Sequence, residues 1–121
     1  MIVYDPKNNA IPDSEFVDLG NPGDLGGRVI SGSPRISARV DFQQGNRTAG
    51  VFEATTGVVE IHFPFTEHAT ILEGEVTLTD QAGNVHVYRK GDSYFIRQGE
   101  VILWDVKGNR VRKSFFNIVE N

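Results

Sequence analysis

Cysteine is absent from the chain, which excludes thiolate catalysis, cysteine-ligated zinc or iron–sulfur centres, and disulfides together. A cysteine-free chain tolerates any redox poise, so the cytoplasm is the default expectation rather than a deduction. No apolar run approaches the length of about 18 residues that marks a membrane helix, so no membrane partner is expected. The opening stretch, "MIVYDPKNNAIPD", has no basic segment leading into an apolar one, so no secretory signal is expected. The glycines of "LGNPGDLGGRVISGSPR" do not fit G-x-G-x-x-G, and G-x-S-x-G occurs nowhere. A nucleotide loop and a hydrolase nucleophile elbow are therefore not expected. A net charge of −4 argues against binding along a nucleic-acid backbone.

What the chain does have is 121 residues, 39% of them hydrophobic and 23% charged, enough for one domain with its own core. The first thirty-odd residues are loop-like, dense in Gly, Pro, Asp and Ser. Residues 1–34 are expected to form an irregular N-terminal arm that packs on the remaining domain, 35–121, or on a neighbouring subunit.

From Arg35 onward the pattern is all-β. "RISARVDF" alternates, "QQGN" reads as a turn, and "AGVFEATTGVVEIHF" holds two short strand candidates around Thr55–Gly57. "ATILEGEVTLTD" is rich in β-branched residues, and "QAGN" is another turn. The last stretch divides into three strands at Gln98–Gly99 and Gly108–Asn109. Strands at this spacing, with no helix-length 3.6-residue period, predict a sandwich or a small closed barrel, which can hold one ligand in its mouth. Lys107, Arg110, Arg112 and Lys113 read as the charges of a solvated hairpin protecting a sheet edge.

Two strands bear on function. Over Val58–Phe63, Val59, Ile61 and Phe63 share one face, and Val58, Glu60 and His62 the other. Pattern alone puts Glu60 and His62 in water. In "EVILWDV", however, both faces are largely apolar, so that strand is covered on both sides, by an arm or an oligomer partner. If the earlier strand is covered likewise, Glu60 and His62 are interior.

The run Glu60-x-His62-x4-Glu67-x6-Gly74 has the spacing of the first cupin motif, with glutamate in place of its first histidine. Gly91-x5-Arg97-x-Gly99-x2-Ile102 has the spacing of the second, with Ile102 in place of the last ligand. More specifically, "GVFEATTGVVEI", "ILEGEVTLTDQAGN", "KGDSYFIRQGEVILWDV" and "VRKSFF" resemble the small single-domain cupins related to (S)-ureidoglycine aminohydrolase. The resemblance spans residues 48 to 118 and implies an RmlC-like jelly-roll barrel.

Carried over position by position, it places Glu60, His62 and Glu67 at metal-ligand positions. Ile102 cannot ligate, and Thr66 stands where the aminohydrolase has a further histidine. An O, N, O ligand set suits Mn(II), Fe(II) or Zn(II). Trp104 and Ile102 are expected to share the inward face and wall a ligand pocket, with Phe95 a weaker candidate. His68 is read as a proton carrier or an exposed residue, His86 as surface. Glu73 and Glu75 are read as outer residues for Arg89 or Lys90 to pair with.

Two functional readings follow from the resemblance. In the first, a metal at the three ligands polarises a carbonyl or activates water on a small amide-like or carboxylate substrate; without metal, Glu60 or His62 serves as general base. In the second, a small cupin binds a metabolite without chemistry, or is a structural subunit with only a vestigial metal site. The expected partners are a small-molecule ligand, in nitrogen-compound metabolism by resemblance, and a second copy of the chain in a homodimer.

Overall fold

The computed structural model describes residues 1–7 and 11–121; residues 8–10, inside the expected arm, lie outside the described residues. The described residues form nine strands. They are β1 (Val17–Gly20), β2 (Arg28–Gly32), β3 (Ile36–Gln44), β4 (Arg47–His62), β5 (Thr66–Glu73), β6 (Glu75–Thr79), β7 (Val85–Arg89), β8 (Ser93–Ile96) and β9 (Val101–Ile118). Short 3-10 turns occupy Asp13–Glu15 and Pro22–Leu25.

The long strands β4 and β9 make the architecture. Arg47–Thr55 of β4 pairs with β3 on one side and with the second half of β9 on the other. From Gly57 to His62, β4 pairs with β2 and with the first half of β9. The other edge of β9 follows the same division, with β6 on its first half and β5 on its second. Each long strand thus passes from one layer of an antiparallel jelly roll to the other. One layer runs β1-β3-β4-β9-β5-β8; the other is built from β2, β4, β9, β6 and β7.

The breaks expected at Thr55–Gly57 and Gly108–Asn109 are therefore bends within single strands. The β4/β9 register shifts between Thr55 and Gly57, a bulge of the kind that turns a strand around a sheet corner. Two strands also lie within the stretch read as loop. β1 and β2 each pair with one strand only, and every residue of β2 is exposed. An edge strand without a covered face, such as β2, has no reason to show alternation, and β1 is only four residues long, so the sequence carried no strand signal there.

The core alternates as pleating requires. Ala69 and Ile71 of β5, Val76 and Leu78 of β6, and Ile102, Trp104 and Val106 of β9 point inward with Phe63 and Phe115. Between β5 and β6 the chain turns at Gly74, with φ of 79°. A Cβ there would lie 2.1 Å from the Arg110 carbonyl oxygen, so this position requires glycine on both counts.

The basic cluster is not a solvated hairpin. Lys107 is exposed, but Arg110 is half-buried and Arg112 and Lys113 are buried. Arg112, only 1% exposed, lies on the outer face of β9 under the N-terminal segment. It donates to Glu53 (2.8 Å), the Ile11 carbonyl (2.9 Å) and Asp13, with the Phe16 ring 4.5 Å away. Arg110 donates to Glu73 (2.6 Å) and Glu53 (3.0 Å) beside it. Further along that outer face, register aligns Phe95, His68, Phe116, Ala49 and Phe42 in one row across five strands. All three phenylalanines are exposed.

Candidate functional site

Position 67 follows the β5 alternation inward, so a glutamate is carried into an apolar interior, where it is 2% exposed. Burying a lone carboxylate costs several kcal/mol, so it needs a partner. Lys113 supplies one. It enters from β9, paired across from Ile71, and is itself 5% exposed. Its Nζ donates to Glu67 Oε2 at 2.8 Å and to the Tyr94 hydroxyl at 2.6 Å. That hydroxyl, from β8, donates to the same Oε2 at 2.6 Å. The three groups close a triangle that leaves one N–H of Lys113 and Oε1 of Glu67 outside it.

Aromatic rings surround the ammonium. Nζ lies 4.8 Å from the Phe52 ring centre, 4.8 Å from Trp104 and 5.3 Å from Tyr94, within cation–π range. Burial, followed by the Glu67 carboxylate, pushes the Tyr94 hydroxyl well above its ordinary value of 10.0. Tyr94 is therefore a neutral donor throughout the physiological range.

The triangle borders a cavity of about 400 Å3, within the range of small-molecule sites. Glu67, Lys113 and Asn117 provide polar groups at one end, while Phe52, Val59, Ile61, Trp104 and Phe115 form apolar walls. Leu19, Pro22 and Pro34 of the N-terminal segment complete the lining.

Of the three expected metal ligands, only Glu67 is inside. Val59 and Ile61 line the cavity, which turns Glu60 and His62 outward on the same strand. Glu60 pairs with Arg28 (3.1 Å) and lies 3.5 Å from His62 Nε2. Its carboxyl is held below the usual range chiefly by the Arg28 hydrogen bond. The His62 side chain is 68% exposed. The expected Glu60–His62–Glu67 centre is therefore not assembled. Among the described residues, no group of three His, Cys, Asp or Glu side chains is placed to hold a metal ion. The donor set at Glu67 does not fit Mn, Fe or Zn either, because the Lys113 ammonium already neutralises the one carboxylate buried inside the barrel among the described residues.

The expected pocket residues divide three ways. Trp104 walls the cavity, Ile102 packs in the core without lining it, and Phe95, 62% exposed, points outside. The Phe95 expectation fails because Tyr94 and Ile96 take the inward positions of β8. His68 and His86 are exposed. Glu75 pairs with Arg89 at 2.8 Å, as the hairpin reading expected. The residues missed are Lys113 and Tyr94. Lys113 was absorbed into the basic cluster, and Tyr94 sat in a stretch whose inward register the sequence left open.

A two-layer antiparallel roll around an interior cavity, with the first-motif glutamate as its buried polar group, is a cupin. The EutQ-like cupin domain family matches residues 42–115, and the chain belongs to that family. Solved structures agree on the fold. Clostridium difficile EutQ aligns with a TM-score of 0.65 at 17% identity, over 90% of this chain and 79% of that one. A protein of unknown function from Pseudomonas syringae pv. tomato gives 0.75 at 22%, over 84% and 43%. A cupin superfamily protein from Desulfitobacterium hafniense gives 0.60 at 14%, over 70% and 78%. No curated protein matches the sequence.

Proposed function

We propose that the barrel binds a small, mostly apolar molecule with one neutral oxygen acceptor, a carbonyl or amide, at the Lys113 end. The observation that carries this reading is the charge-balanced Lys113–Glu67–Tyr94 triangle beside an apolar cavity of about 400 Å3. The remaining N–H of Lys113 is a donor for that oxygen, and Asn117 offers an amide nearby. Glu67 decides the charge of the ligand. With the ammonium already neutralised, a carboxylate ligand would bring a second, uncompensated anion into a low-polarity site, which is costly. The walls of Phe52, Trp104 and Phe115 suit a flat or aliphatic body.

The chain's single tryptophan is Trp104, in the cavity wall, so its emission reports occupancy. Titration with acetophenone and with benzoate, alike in size, tests the reading. Acetophenone should give a saturable change, with benzoate weaker by about tenfold or more, that is by about 1.4 kcal/mol. No saturable change with either would sink the proposal, and tighter benzoate binding would reverse its charge argument.

The exposed row of Phe42, Phe116 and Phe95 supports a second copy of the chain on the outer face of the sheet. Sedimentation of the wild-type chain as a monomer would remove that part of the proposal.

A further inference from the structure

We infer that Lys113 is placed to capture an aldehyde or ketone in the barrel as a covalent imine. This rests on the reading of the cavity as a carbonyl site and goes beyond it, because a hydrogen-bond donor need not be a nucleophile.

An amine attacks a carbonyl only after losing its ammonium proton. In water that proton goes to solvent. Here an acceptor is built in, with Glu67 Oε2 2.8 Å from Nζ. Moving the proton across that gap turns a buried ion pair into a neutral amine beside a neutral acid. An apolar surround lowers the cost of that transfer, because it penalises the charged pair and not the neutral one.

The freed lone pair then adds to the carbonyl carbon, and a proton moves from nitrogen to oxygen to give a carbinolamine. Loss of its hydroxyl needs a proton, which Glu67 holds. The Tyr94 hydroxyl, 2.6 Å from both Nζ and Oε2, is a second route for it. Water leaves and C=N forms. One carbonyl compound and one amine give one imine and one water, with no oxidation or reduction. If the imine nitrogen is protonated, the new cation sits where the ammonium did. Phe52 and Trp104 face it, and Glu67 is its counter-ion.

The chain supplies its own controls. Its other lysines, Lys7, Lys90 and Lys107, are all exposed. The test treats the folded chain with benzaldehyde and sodium cyanoborohydride at neutral pH, then maps the reduced adducts by peptide mass spectrometry. Trp104 emission is followed in parallel. Lys113 should carry at least about tenfold more adduct than each exposed lysine, an advantage of held geometry that unfolding in urea abolishes. Saturable benzaldehyde binding with adducts spread over the exposed lysines would overturn the imine inference and leave the carbonyl site standing. Absence of both binding and Lys113 adduct would overturn the two together.

Discussion

Lys113→Met is expected to destabilise the fold by about 3–5 kcal/mol, the cost of leaving one member of a buried ion pair without its partner. Methionine keeps the length and apolar stem of lysine, so packing against Phe52 and Trp104 is largely preserved and the loss is electrostatic. Glu67 retains the Tyr94 hydrogen bond but not a counter-charge. The folded variant then favours a protonated Glu67, whereas the unfolded chain ionises it freely. Protons bound preferentially in the folded state make stability fall as pH rises. The deficit relative to wild type should therefore be smallest in acid and grow toward neutrality. Adding Glu67→Gln to Lys113→Met should recover much of the loss, since no charge remains to be buried. Urea midpoints of the wild type, both single variants and the double variant, measured across pH, check this. Additive losses at every pH would mean that the two side chains are not coupled in the barrel.

The second large effect is expected at Arg112, on the opposite face of the same strand. Its guanidinium joins the sheet to the N-terminal segment through Glu53, the Ile11 carbonyl, Asp13 and the Phe16 ring. Arg112→Met removes all of these polar contacts from a site that is 1% exposed. Arg110 still holds Glu53 at 3.0 Å, so the carboxylate is not abandoned, and the expected loss is about 3 kcal/mol, at the low end for a broken buried pair. Loosening of the segment is a separate readout, since trypsin should cut at Lys7 faster in the variant. An unchanged urea midpoint with unchanged cleavage would show that Arg112 does not fasten the segment.

The fold was legible because β5, β6 and the first half of β9 alternate over a buried face, and because the cupin spacing located Gly74 at a turn only glycine can make. The same alternation gave the right answer for Glu60 and His62, which it placed in water. The family spacing, carried over as a ligand set, moved them inside and was wrong for both. Of the three, Glu67 alone lies inside the barrel.

Lys113 was hidden by the bend in β9. Val106 and Val111 both face inward although they are five residues apart, so inward positions change from even to odd numbers through Lys107–Arg110. Alternation continued straight through would have put Arg112 inside and Lys113 out, since a one-residue slip exchanges the faces of a strand. Arg112 is buried for a different reason, coverage by a segment almost a hundred positions away in sequence, which no local pattern carries. Tyr94 became assignable once β8 was paired with β5.

Inside this cupin a buried lysine is bonded to Glu67 and Tyr94. The side-chain ammonium signals of the 15N-labelled chain at neutral pH test it most directly, because exposed ammonium groups exchange with water and broaden away. One persistent signal is expected, lost in Lys113→Arg and shifted in Tyr94→Phe. No persistent signal, or one that survives Lys113→Arg, would contradict it.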